Sequence, residues 1–144
     1  MRFYCFILVL MISCTNKFER EKSLIEYLTM SHGIDVTNET YVVIHQTNFC
    51  NSCTEEIVNY FDNELSKNTQ KKWKVILTSP RQDLELRYLK HSNVELLIDN
   101  DFLLEKHGLA MSYDLFFIIK EGRATNWARV KDNNLEALDV FFVN

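Results

Sequence analysis

The apolar run Tyr41-Val42-Val43-Ile44 passes within a few residues into Cys50-Asn51-Ser52-Cys53 and then into the helix-like stretch Thr54-Glu55-Glu56-Ile57-Val58-Asn59-Tyr60-Phe61. No other feature constrains the fold as much. A near-continuous β-branched run reads as a strand buried on both faces, which requires layers of structure above and below it. Two cysteines spaced by two residues at a strand-to-helix junction stand within bonding reach of each other. The first sits where unpaired amide N–H groups and the helix dipole favour a thiolate.

The same alternation continues along the chain. Apolar strand-like runs recur at Trp73 to Thr78, Val94 to Ile98, Leu115 to Lys120 and Ala124 to Val130. Between them lie helical patterns: Cys50 to about Ser66, with Ile57, Val58, Phe61 and Leu65 on one side; Ser79-Pro80 to about His91, with the proline in the first turn; and Asp101 to His107, closed by Gly108. Glu121-Gly122 reads as a tight hairpin turn, and Asp132 or Asn133 is placed to cap a last helix through Phe142. Ahead of the first strand, Phe18 to Met30 carries Leu24, Ile25 and Leu28 among charges and reads as an amphipathic helix ended by Gly33. Strands alternating with helices imply parallel crossovers, and the hairpin implies an antiparallel pair, so the expected class is α/β with a mixed central sheet and helices on both faces.

One proline, three glycines and 144 residues leave no linker to divide the chain into several domains. The formal charge of −4, with acids scattered, argues against a nucleic-acid surface; Lys71-Lys72-Trp73-Lys74 is the one basic cluster and reads as a solvated turn. The first residues form a targeting segment: Arg2 is a short positive start, Phe3 to Ile12 is almost wholly apolar but too short to span a bilayer comfortably, and Ser13-Cys14 follows. This segment resembles a bacterial lipoprotein signal. The resemblance implies cleavage after Ser13, a lipid on Cys14, and a division into a signal (1–13), a tether with an N-terminal helix (14–40) and a domain (41–144). It also implies a lipid-anchored, extracytoplasmic place in the bacterial cell envelope, facing the periplasm.

With Cys5 removed and Cys14 acylated, two of the four cysteines remain as free thiols, Cys50 and Cys53. Outside the cytosol such a pair can rest oxidised and needs a donor to be reduced. A structural bridge across so short a loop would remove little unfolded-chain entropy, which favours redox chemistry over stapling.

The order strand, Cys-x-x-Cys, helix, strand, helix, strand, helix, hairpin, helix resembles the thioredoxin superfamily. Within it, the chain is most similar to exported, membrane-tethered thiol-disulfide oxidoreductases of the redoxin group. Three segments carry this: Tyr41 to Cys53; Val94 to Asp101 with Leu104 to Leu109; and Phe116 to Arg123. The resemblance implies Cys50 as nucleophile and Cys53 as resolving thiol, and protein disulfides and an upstream electron donor as partners. It implies no cofactor and a monomer. The groove for partner backbone would be formed by Phe49, Asn51, Ser52, Tyr113 and Asp114.

Three departures stand out. Tyr113 or Asp114 takes the place of the family's cis-proline, so a trans peptide is expected there. Phe49 stands where a tryptophan is usual, and Ile44 lies near the position of the buried acid of thioredoxin itself. Other readings of the same cysteines stay open. One is a copper or zinc metallochaperone, which would need further ligands although all four histidines read as structural or solvated. Another is an interaction protein with degenerate chemistry. A peroxidase, suggested by Thr47-x-x-Cys50, has Val43 where a proline would be expected.

Overall fold

A computed structural model describes residues 17–47, 51–109, 112–131 and 134–143, with the helical backbone alone described at 51–54. The lipoprotein segment with Cys14, the pair Phe49-Cys50 and the expected caps Asp132 and Asn133 lie outside the described residues.

Five strands form one mixed sheet: β1 (Thr40–His45), β2 (Trp73–Leu77), β3 (Val94–Ile98), β4 (Asp114–Lys120) and β5 (Arg123–Val130), in the spatial order β3-β2-β1-β4-β5. β1 is central, parallel to β2 on one side and antiparallel to β4 on the other. β3 extends the parallel half, and β5 closes the antiparallel half as a hairpin with β4. At the hairpin tip Glu121 and Gly122 both have positive φ, 53° and 70°. This is the two-residue turn whose twist matches paired strands, which is why glycine stands there. The turn is also tied down from outside, since Glu121 N donates to Thr37 O and Gly122 N to Val36 O.

Helices cover both faces, as the alternation requires. One face carries α2 (Asn51–Lys67), α3 (Gln82–Tyr88) and α5 (Glu136–Val143). Ile57, Val58, Phe61 and Leu65 of α2 fall at helical spacing and are all buried, packing with Val43, Val75, Leu77 and Phe116 of the sheet. The other face carries α1 (Glu21–Glu26), which runs on into a π-helical turn at Tyr27–Ser31, and the short α4 (Leu103–Lys106). Here Phe18, Leu24, Tyr27 and Leu28 meet Val42, Ile44, Ile76 and Phe117. The N-terminal helix is therefore built into the same core as the strands. Among the described residues no helix is long and apolar enough to cross a membrane.

Element positions lie close to those expected from the sequence, with helix ends shifted: α4 spans Leu103–Lys106 within the expected Asp101 to His107, and α3 ends at Tyr88 before the expected His91. α3 begins at Gln82, so Pro80 precedes the helix and does not occupy its first turn; Arg81, at its start, has extended backbone with φ −140° and ψ 103°. The cause is a tertiary clamp. Thr47 Oγ1 accepts from Ser79 N at 2.9 Å and meets Ser79 Oγ at 2.7 Å, holding this segment against the end of β1.

Candidate functional site

The C-terminal ends of the parallel strands β1, β2 and β3 and the first residue of β4 share one edge of the sheet. Chain leaves β1 at this edge and enters α2 at Asn51. Cys50 immediately precedes that residue in sequence, and Cys53 lies in the helix's first turn.

Beneath this junction the otherwise apolar sheet becomes polar. His45, Gln46, Thr47, Thr78 and Asp114 are all buried. Antiparallel pairing of Ile44 with Leu115 brings the next residues, His45 and Asp114, together. His45 Nδ1 lies 2.7 Å from Asp114 Oδ2, and Gln46 N donates to Asp114 Oδ1 at 2.8 Å. On its other side His45 Nε2 is 2.5 Å from the Tyr88 hydroxyl, with the two rings stacked at 5.5 Å. Burial, with Asp114 and Asp62 next in effect, pushes the Tyr88 phenol well above its ordinary range, so it stays protonated. Phe61 of α2 and Phe116 of β4 seal the imidazole at 6.3 and 6.2 Å between ring centres.

A hydroxyl clamp adjoins this network. Thr47 N donates to Thr78 Oγ1 at 3.1 Å, and Thr47 Oγ1 joins Ser79 as described above. The segment leaving β1 is thus fastened to the segment leaving β2.

The expected site residues separate into three groups. Phe49 and Cys50 lie outside the described residues, while Asn51, Ser52 and Cys53 belong to the helical backbone of α2. Tyr113 is half-buried, its ring 5.2 Å from the Arg129 guanidinium. Asp114, expected to line a groove, is 3% exposed, with its carboxylate turned inward onto His45 and the Gln46 amide. No peptide among the described residues is cis, as expected where no proline stands before β4.

Ile44 is fully buried in the core of the opposite face. A buried carboxylate at this end of the sheet, Asp114, comes instead from the first residue of β4. His45, Tyr88 and Gln46 were not singled out by sequence reasoning as functional. The available signal was a His-Gln pair ending an apolar strand, but its partners lie 43 and 69 residues away.

A second buried carboxylate, Asp99, follows β3. It accepts Leu103 N and Leu104 N at 2.8 and 2.7 Å and the Tyr27 hydroxyl at 3.3 Å. Burial first, then Asp99, drives the Tyr27 phenol far above its ordinary range, and burial lowers the nearby His32 imidazole. This group fixes the loop that opens α4. Of the remaining histidines, His91 Nε2 is 2.6 Å from Asp62 and His107 Nε2 is 3.2 Å from Ser31 Oγ. Among the described residues, no three His, Cys, Asp or Glu side chains gather to hold a metal ion.

No family model matches the chain, and no curated protein matches it. Among solved structures it is similar to the solution structure of a thioredoxin-like protein in the oxidized form, with TM-score 0.45, 14% identity and coverage of 75% of this chain and 80% of that one. The α/β architecture, a mixed sheet with helices on both faces, is carried by the topology itself. A central β1 runs into α2 and returns parallel as β2, and after the β3 and α4 segment an antiparallel hairpin and a closing helix complete the layers.

Proposed function

We propose that this chain is a membrane-anchored, extracytoplasmic thiol-disulfide oxidoreductase working through Cys50 and Cys53. The observation that supports it is the coincidence of the Cys-x-x-Cys sequence with the passage from the central strand β1 into α2, which starts at Asn51. A 17-residue helix directs its positive end and its unpaired amides toward that start.

In the exchange, the Cys50 thiolate attacks one sulfur of a partner disulfide, forming a mixed disulfide and releasing the other partner sulfur as a thiolate that takes up a proton. Cys53 then attacks Cys50, releasing the second partner thiol and leaving an intramolecular disulfide. Two electrons and two protons pass to the partner, and an upstream dithiol restores the pair. Lipidation at Cys14 would hold this domain at the membrane where such partners lie.

The test uses the full chain with a disulfide-linked protein substrate and a dithiol donor. Turnover is expected, together with a mixed disulfide that accumulates with Cys53→Ser and is absent with Cys50→Ser. Stoichiometric copper or zinc binding with no exchange would overturn the reading in favour of a metal carrier. An intramolecular bridge that no dithiol reduces would overturn it in favour of a structural disulfide.

A further inference from the structure

We propose that the outer side of β5 is a docking site for an extended acidic peptide segment of a partner protein, with Arg129 as the clamp for its carboxylate. The inference needs neither the cysteines nor the exchange reading.

Arg129 is a charged group that the fold leaves incompletely bonded. Its guanidinium lies 5.0 Å from the Trp127 ring centre, 5.2 Å from that of Tyr113 and 5.6 Å from that of Phe18. These rings favour the cation but do not supply the directed acceptors that a carboxylate would. Nε is buried and has no hydrogen-bond partner. Glu19 forms an ion pair with the guanidinium at 3.7 Å, beyond hydrogen-bond reach, and its side chain is 77% exposed. A buried donor without an acceptor is destabilising, so its presence in a fold calls for an explanation. A rigid fork of donors walled by aromatic rings, with 30% of the side chain still open, matches a carboxylate arriving from solvent.

The surroundings select a peptide strand over a small carboxylate. β5 is last in the sheet order, so alternate backbone N–H and C=O groups along it point away from β4. Beside them runs an open groove of about 620 Å³ whose lining includes Trp127, the ring neighbour of Arg129. An extended segment can add to such an edge through its backbone, and its alternate side chains then fall on one face. Trp127 and Arg129, two residues apart on β5, share a face in the same way. The charge is complementary as well. Lys17, Lys120 and Arg123 line the groove against Glu21 and Glu121, and Glu21 already faces Arg123 at 3.9 Å with its side chain 13% exposed. In a chain of formal charge −4, this side therefore keeps a cationic excess.

The place of the clamp gives it a use. Arg129 pairs with Leu115 across the hairpin, next to the pair Asp114 and Val130. Leu115 in turn pairs with Ile44, one residue before the end of β1. Arg129 thus stands two strand spacings, or about 10 Å, from the end of β1. A partner laid along β5 is brought up beside the β1–α2 junction.

15N spectra of the full chain test this with three probes: a short capped peptide of alternating Thr and Val around one Glu, its Gln counterpart, and acetate. The Glu peptide is expected to shift the Arg129 Nε–H signal and the backbone amides of β5 saturably. It should bind about tenfold more tightly than the Gln peptide, the share of a charge-assisted hydrogen bond. Arg129→Gln should erase that preference, and Glu19→Gln, by removing the resident carboxylate, should tighten the Glu peptide about threefold. A merely structural Arg129 would leave the two peptides equal. Equal binding of the two, or no binding of either, to the native chain would overturn the inference. Acetate binding as tightly as the Glu peptide would overturn it in favour of a site for small carboxylates. If Arg129→Gln does not fold, the comparison of the two peptides on the native chain decides.

Discussion

Replacing Phe61 by alanine tests whether α2 is held on the sheet by the packing described here. The ring is fully buried. It meets Trp73 edge-on at 4.9 Å and Phe116 edge-on at 5.5 Å, with Tyr88 at 6.0 Å and the His45 ring at 6.3 Å. Truncating a buried phenylalanine to alanine costs about 3–5 kcal/mol, the sum of lost transfer energy and the cavity left behind. Edge-to-face partners add about 0.5–1.5 kcal/mol beyond area burial, which places this position in the upper half of that range, near ~4 kcal/mol. Against a total stability on the order of 5–15 kcal/mol the variant should still fold. With an m-value of about 2 kcal/mol/M in urea, its unfolding midpoint should fall by roughly 2 M at unchanged slope. Leu89→Ala serves as the control, since Leu89 is 69% exposed and its loss should stay within about 0.5 kcal/mol. A Phe61→Ala midpoint shift below about 0.7 M at unchanged slope would refute the packing argument, because a ring so enclosed cannot be removed that cheaply.

Two further outcomes follow from strain and from burial. Phe102 opens α4 in the left-handed region, φ 53° and ψ 37°, with 57% of its surface exposed, so the bulky side chain opposes its own backbone. Relief of about 1–2 kcal/mol in the folded state, less the greater freedom of glycine when unfolded, predicts that Phe102→Gly stabilises by about 0.5 kcal/mol and Phe102→Val destabilises, measured by the same titrations. At alkaline pH the buried phenols of Tyr27 and Tyr88, both raised, keep their protons in the folded chain while unfolded tyrosines lose theirs near pH 10. The folded state then binds more protons, so their stabilisation is complete below pH 10 and is lost as pH rises toward the folded values. The slope approaches roughly 2.7 kcal/mol per pH unit for the two groups together. Urea titrations at pH 9, 10.5 and 11.5 should show a decline that the paired Tyr27→Phe and Tyr88→Phe variant lessens, the remainder coming from Tyr41 and Tyr60, whose phenols are also raised; an equal decline in the variant would refute it.

Local chemistry made most of the architecture legible in the chain itself. Val94 to Ile98 is a strand from its apolar run, Glu121-Gly122 turns the hairpin because glycine accepts positive φ, and Ile57, Val58, Phe61 and Leu65 reveal the buried side of α2 by their spacing. Cys50 and Cys53 could be picked out because their significance lies in their separation along the chain. The polar network at the C-terminal end of β1 could not. His45, Tyr88 and Asp114 each have an adequate bland reading alone, and they become one hydrogen-bonded unit only when β1 pairs antiparallel with β4 and α3 packs beside them. The start of α3 escaped for the same reason: Pro80 signals a first turn, but Thr47, more than thirty residues earlier, holds Ser79 outside the helix. Periodicity and turn chemistry act between near neighbours and are written in order along the chain. The place of a buried polar network is decided by which distant groups the closed sheet brings within hydrogen-bonding reach, and that is settled only by the tertiary structure.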